Sequence, residues 1–253
     1  MARAAVPGGL KVRRAWRPAR LVDRRAETAT ASSLWLEVPG WPGHLPGQHV
    51  DVRLTADDGY QAARSYSLAA PSDGELIEIT VQEVADGEVS SYLAEEARNG
   101  DAVEVRGPVG GWFVWRPEET GPVLLVAGGS GVVPLMAMIR SRDAAGSAPF
   151  RLIYSVRSPD DRIYAEELER RAQQSGDLEV AFLYTRNAPP SERRRARRLR
   201  AEDLITHGWP AEAQPTCYVC GPTGFVEAVS DLLIELGHSP ARIRTERFGP
   251  SGP

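Results

Sequence analysis

Val123-Leu-Leu-Val-Ala127, followed by Gly128-Gly-Ser-Gly-Val-Val-Pro134, decides how the second half of the chain is built. Five consecutive apolar residues read as a strand buried on both faces, as in a parallel sheet covered by helices. The glycines allow a tight turn, and a helix is expected from about Pro134. Proline in a first helical turn forfeits no hydrogen bond, because the N–H groups there have no intrahelical partner. A Gly-rich turn between such a strand and a helix lets the backbone approach a pyrophosphate, and the helix start presents amide donors to it. The spacing here is Gly129-x-Gly131-x-x-Pro134, with proline where the usual dinucleotide fingerprint has its third glycine.

Downstream the rhythm is strand, helix, strand. Phe150–Val156 is the next strand, and Ser158-Pro-Asp-Asp161 reads as a helix start, with Ser158 as cap and the acids near the positive end of the dipole. Leu178–Tyr184 and 216–219 are further strands, 222–236 is an amphipathic helix stopped by Gly237, and 242–246 is the last strand. This alternation predicts a doubly wound parallel sheet. Upstream the period is two: 33–38, 49–54, 64–69, Leu76–Gln82 and, after one helix, 101–106. Turn clusters such as Pro39-Gly40, Asp57-Asp-Gly59 and Pro71-Ser-Asp-Gly74 separate them, which predicts an antiparallel barrel or sandwich. The change of rhythm near 116–122 puts the boundary at about residue 117, giving domains 1–117 and 118–253.

Composition narrows the function classes. With 25% charged and 42% hydrophobic residues and a net charge of −4, the chain reads as an ordinary globular protein with no electrostatic case for nucleic acid. No apolar run approaches the roughly 20 residues a membrane helix needs. The start lacks an apolar export segment, and nothing of that kind follows Arg13-Arg14, so a cytoplasmic location is expected. All basic residues but Lys11 are arginine, and Arg193-Arg-Arg-Ala-Arg-Arg-Leu-Arg200 packs six of them into eight positions. That run reads either as a solvated face or as a docking patch for an acidic partner. The two cysteines, Cys217 and Cys220, are too few for a Cys₄ iron–sulfur cluster, and no metal site is expected. Their Cys-x-x-Cys spacing fits a redox pair, but the extended stretch Thr216-Cys-Tyr-Val-Cys220 favours buried core thiols.

Two further stretches carry chemistry. In Arg64-Ser-Tyr-Ser67 alternation puts Arg64 and Tyr66 on one face and Ser65 and Ser67 on the other. Arginine can grip a phosphate in a fork, and tyrosine can lie against a planar ring. Gly87-Glu-Val-Ser-Ser-Tyr-Leu93 opens a helix whose amides and hydroxyls make a second anion site.

In order, Arg64-Ser-Tyr-Ser67, Gly87-x-Val89-Ser90-x-x-Leu93, Gly128-Gly-Ser-Gly-Val-Val-Pro134, Cys220-Gly-Pro222 and Glu246-Arg-Phe-Gly249 resemble the ferredoxin–NADP reductase superfamily, from about Val12 to Gly249. The chain is most similar to the branch of bacterial oxygenase reductases and flavohaemoglobin reductases, without an iron–sulfur domain. The resemblance implies a flavin-binding β-barrel followed by a nicotinamide-nucleotide domain. It implies that Arg64 holds a flavin phosphate, that Ser65 and Tyr66 line the flavin, and that Ser67 lies near its reactive nitrogen. Gly87, Val89 and Ser90 would bind the flavin phosphates through backbone and hydroxyl. Gly129, Ser130 and Gly131 would take the nucleotide pyrophosphate; Cys220, Gly221 and Pro222 would border the nicotinamide; Glu246 and Phe248 would close the flavin face. The implied catalytic set is Ser67, Cys220, Glu246 and Phe248. Two departures stand out: Val133 replaces a frequent threonine, and Gln82 a frequent basic residue.

The activity so implied is NAD(P)H oxidation through bound FAD, rather than FMN, with electrons leaving to a ferredoxin, Rieske, haem or other metal-centre protein that could dock near residues 193–200. A reductase of free flavin and a non-catalytic redox-sensing subunit are the rival readings. Arg157 and Arg186, at the ends of the second and third strands of the parallel sheet, are placed to take the 2′-phosphate of NADPH, while Asp160 and Asp161 nearby would suit NADH.

Overall fold

The computed structural model describes residues 15–249 except 57, 85, 146 and 147, so Val12, the Arg13-Arg14 pair and residues 250–253 lie outside the described residues. Strands β1 (Arg17–Thr28), β2 (Ala31–Glu37), β3 (His49–Thr55), β4 (Gln61–Ser67), β5 (Leu76–Gln82) and β6 (Ala102–Val109) form one antiparallel sheet in the order β4-β3-β6-β1-β2-β5. Its edges meet where Leu68 bridges Ile79 and the Ala69 N–H donates to the Glu78 carbonyl at 2.8 Å, which closes the sheet into a barrel rather than a sandwich. Ile77, Ile79 and Val81 point into the core with Leu34, Leu36, Val50 and Val52. Glu78 and Thr80, on the opposite face of β5, are also buried, because the second half of the chain covers them. Helix α1 (Glu88–Ser91) and a wider turn through Glu96 cap one mouth of the barrel.

β1 is a strand that the alternation rule does not find. Only Ala19 and Leu21 of its twelve residues are buried, and Asp23-Arg24-Arg25 puts charge on both faces, so no period-two apolar signal survives.

The second sheet is wholly parallel. It holds β7 (Val123–Gly128), β8 (Phe150–Val156), β9 (Leu178–Tyr184), β10 (Thr216–Pro222) and β11 (Ile243–Phe248), in the order β11-β10-β7-β8-β9. One face packs under α2 (Val132–Ala145) and α3 (Ala165–Gln174), the other under α4 (Ala201–His207) and α5 (Thr223–Glu235). The order reverses between β7 and β10, and a crevice outside the strand ends at such a switch point is where doubly wound sheets bind ligands. Phe113 and Trp115 of the connecting segment are buried in the second core, whereas Arg116, Pro117 and Glu118 are exposed.

Three expectations need correction. The helix expected at Ser158 begins at Ala165: Pro159–Asp161 is a single 3₁₀ turn, the Ser158 hydroxyl donates to the Asp161 carboxylate at 2.6 Å instead of capping, and Tyr164 precedes α3 in the left-handed region at φ 60°. α2 starts two residues before Pro134, which therefore sits inside its first turn. The arginine run is not one solvated face. Arg194 and Arg197 both bond the buried Asp203 of α4, each with a 2.7 Å contact, while Arg193, Arg195, Arg198 and Arg200 are exposed. Cys217 and Cys220 are free thiols, each packed in a different core on opposite faces of the sheet, so they form no redox pair.

Candidate functional site

The crevice at the β7–β10 switch point is shaped by glycine. A 3₁₀ turn, Gly129–Gly131, links β7 to α2, and Ser130 at its centre is half-buried. Gly129 has φ +57°, and a Cβ there would meet nothing within 4 Å, so the backbone faces open space. A Cβ on Gly131 would run into the Cys220 carbonyl and approach the Gly221 nitrogen at 2.8 Å. Gly131 therefore lets the helix start lie directly on the end of β10. Cys220 and Gly221 are buried and Pro222 is exposed at the rim. The Cys220 thiol is 1% exposed, and burial first, then the Glu246 charge, pushes it well up. A buried neutral thiol is a weak nucleophile.

β4 carries the second element of the site. Its register against β3 pairs Val50 with Tyr66 and Val52 with Arg64, and Asp51 with Ser65 and His49 with Ser67, so the alternation read from sequence holds. The Tyr66 ring packs against the barrel core, yet its hydroxyl is buried without a hydrogen bond. Arg64 is exposed and donates to the Ala63 carbonyl at 2.8 Å, with no acidic partner among the described residues. Ser65 is turned away and donates to Asp51 at 2.6 Å. α1 packs beside β4, and Gly87 is its N-cap. Val89 and Ser90 are buried, and the Ser90 hydroxyl bonds the Gly87 carbonyl at 3.2 Å. What α1 turns outward is consequently backbone N–H rather than that hydroxyl.

Glu246 joins the two halves of the site. It lies on β11 beside Cys220, and Ser67 of β4 is near enough to pull its carboxyl down. Burial pushes the Glu246 carboxyl up to about 7 against the opposing pull of Ser67. His49 Nδ1 stands 4.0 Å from Glu246 Oε1. His49 carries no sequence motif; only the β3–β4 register reveals it. Phe248 pairs with Pro222 at the end of β11 and is 38% exposed, at the rim of the crevice. A line of contacts therefore runs from Gly131 through Cys220, Glu246 and Ser67 to Tyr66 and Arg64.

Arg157 and Arg186 lie together at the far end of the sheet: both are exposed, and the Arg186 N–H donates to the Arg157 carbonyl at 3.0 Å. The arginine run folds back onto the same end, where the Arg197 N–H donates to the Tyr184 carbonyl at 3.0 Å. Among the described residues, no group of three or more His, Cys, Asp or Glu could hold a metal ion, and no helix is long and apolar enough to cross a membrane.

These features fit an extended ligand with phosphates and a flat ring: an uncompensated exposed cation at Arg64, an orphaned buried hydroxyl at Tyr66, and open space over Gly129. Comparison with known proteins agrees. Residues 20–114 match the oxidoreductase FAD-binding domain family, and residues 125–231 match the oxidoreductase NAD-binding domain family. The chain is 34% identical over 209 residues to the ferredoxin–NAD(P)(+) reductase component of the naphthalene 1,2-dioxygenase/salicylate 5-hydroxylase systems of Ralstonia sp, covering 82% of this chain and 61% of that relative. It is 32% identical over 258 residues to a flavohemoprotein of Pseudomonas aeruginosa, covering 99% of this chain and 62% of the relative. The chain thus spans about three fifths of the length of both. Among solved structures, the FAD/NAD-binding domain of a nitric oxide dioxygenase from Vibrio cholerae superposes with a TM-score of 0.76 at 27% identity, covering 92% of this chain and 99% of that one. With both family domains in this order, on a closed antiparallel barrel and a five-stranded parallel sheet, the chain belongs to the ferredoxin–NADP reductase superfamily.

Proposed function

We propose that this protein is an NAD(P)H-dependent flavoprotein reductase that passes electrons through bound FAD to a separate acceptor protein. The observation that carries the reading is that Gly131, Cys220, Glu246 and Ser67 lie side by side, which supports a nucleotide held at the Gly129–Gly131 turn facing a flavin held at the Arg64–Ser67 strand. FAD, when bound, supplies the chemistry of accepting a hydride and releasing single electrons. Arg64 would hold a phosphate of FAD, and the backbone N–H groups of Glu88, Val89 and Ser90 would hold another, the Gly87 N–H being taken by the Val84 carbonyl. Tyr66 lies against the ring, and its orphaned hydroxyl gains a partner. The backbone of Gly129, Ser130 and Gly131 holds the nucleotide pyrophosphate, and Cys220, Gly221 and Pro222 form the wall beside the nicotinamide. The Glu246 carboxyl, pushed up to about 7, would hold a proton beside the flavin edge, and the Ser67 hydroxyl next to it would orient that group. Phe248 shields the crevice from water.

Exposed Arg157 and Arg186, side by side, favour the 2′-phosphate of NADPH. A division into 1–117 and 118–253 suits the exposed stretch of the connector at Arg116, Pro117 and Glu118. A partner protein is supported by relatives named as reductase components and subunits of oxygenase systems. The exposed Arg193, Arg195, Arg198 and Arg200 are available to steer it, and a cytoplasmic location suits NADPH. The test is gel filtration followed by turnover. Protein that stays yellow, releases FAD by mass spectrometry and reduces a one-electron acceptor with NADPH supports the reading. Flavin lost on the column, with activity only when free flavin is added, contradicts it.

A further inference from the structure

One arginine outside every motif connects the two halves of the site. Arg140 lies on α2, nine residues past Gly131, or roughly 13 Å along the helix. Its side chain is 10% exposed and crosses to the barrel. There Nη1 donates to the Ala69 carbonyl and to Glu78 Oε1, both at 2.9 Å. Ala69 is two residues beyond Ser67, so this bond reaches the backbone that continues the Arg64–Ser67 strand. The rest of the guanidinium grips Glu167 of α3 in a fork, Nε to Oε1 at 3.0 Å and Nη2 to Oε2 at 2.6 Å. Arg171 bonds the same carboxylate at 2.8 Å. Burial raises the Glu167 carboxyl, but these two arginines outweigh it and hold the group at about 2.

Tyr164 braces the contact from the side. Its ring lies 5.0 Å from the Arg140 guanidinium carbon, and its hydroxyl hydrogen-bonds Thr80, which in turn bonds Ser33 at 2.8 Å. The Tyr164 N–H donates to Glu27 Oε2 at 3.3 Å. β1, β2 and β5 are thus tied to α2 and α3 by directional bonds. Apolar packing would hold the two halves together equally well while letting them slide. A guanidinium fork shared between a carbonyl and two carboxylates has one geometry.

We propose that Arg140 is a positioning residue for hydride transfer: it fixes the spacing and orientation of the Gly129–Gly131 turn relative to the Arg64–Ser67 strand. The inference rests on the flavoprotein reading above. Misplacement of reacting groups by about 1 Å costs on the order of 100-fold in rate.

The test compares wild type, Arg140→Met and Arg140→Lys, with Glu78→Gln as a milder change should Arg140→Met fail to fold. Two readouts are taken. Nitroxide labels at Glu37→Cys on β2 and Ile205→Cys on α4, both exposed positions, report the distance between the halves with no cofactor present. The FAD-loaded protein reports kcat and the isotope effect with 4-deuterated NADPH. The expected result is a broadened distance distribution, and a kcat lowered 10–100-fold with a larger isotope effect and unchanged FAD retention; Arg140→Lys restores part of each. A narrow wild-type distribution with full kcat, whatever happens to Tm, overturns the proposal. If wild-type flavin is not reduced by NADPH, the flavoprotein reading fails on its own, and the distance measurement still decides whether Arg140 sets the geometry.

Discussion

Residues 193–200 and Arg140 use the same side chain in opposite ways. The run shows six arginines in eight positions, yet two of them, Arg194 and Arg197, are absorbed by one carboxylate, Asp203, in the turn that starts α4. Arg140 follows an apolar stretch of helix and no motif marks it, yet it joins the barrel to α2 and α3 through Glu78, Glu167 and the Ala69 carbonyl. Density of charge along a chain does not measure how much a charge matters. What decides is whether the fold delivers a buried acid to it, because a buried ion deprived of its partner is costly while an exposed one is screened by water.

Arg140→Met leaves Glu78 buried without its cation and should cost roughly 3–5 kcal/mol, a fall in Tm on the order of 10 °C. A loss below about 1 kcal/mol would place Arg140 with the surface arginines. Next comes Asp203. Burial raises its carboxyl, but Arg194 and Arg197 outweigh burial and hold it at about 2. A depressed carboxylate adds stability that is complete above the ordinary aspartate value near 4 and is lost as pH falls toward 2. Asp203→Asn should therefore cost roughly 2 kcal/mol at pH 7 and narrow the stability gap to wild type between pH 4 and 2, read from Tm across that range.

Arg64 tests a third setting, an exposed cation with no acidic partner among the described residues. Arg64→Ala should leave Tm of the flavin-free protein unchanged while weakening FAD binding by roughly 1.5–3 kcal/mol, about 10–150-fold in Kd by titration. Equal affinity would remove Arg64 from the flavin site. The smallest effect on folding is expected at Arg193→Gln, Arg195→Gln and Arg198→Gln together, within about 0.5 kcal/mol of wild type. The same triple variant should raise KM for an acidic acceptor protein and flatten its salt dependence. An unchanged KM would make these exposed arginines as inert as their lack of buried partners allows.

How much was legible in the residues follows the same division. The β7 strand and its Gly-rich turn are local features that give the parallel sheet, and the period-two runs with the motif order give the barrel. β5 and β9 were found to the residue, because Ile77, Ile79 and Val81 alternate and Leu178–Tyr184 is bounded by turns. β1 escapes the alternation rule because its faces are mostly charged. The start of α3 differs from the sequence expectation because a left-handed tyrosine precedes it, a conformation that side-chain chemistry does not announce. His49 and Arg140 were invisible for a different reason: each matters through strand register or an interface between the two sheets, neither of which has a local signature.

On the proposed reading, a nucleotide held at Gly129–Gly131 faces a flavin held at Arg64–Ser67. Anaerobic titration of the FAD-loaded protein with NADPH, followed at the flavin absorbance near 450 nm, tests it most directly. About one equivalent of NADPH should bleach the bound flavin. Flavin that stays oxidised in excess NADPH and NADH, although both cofactors are bound, would contradict it.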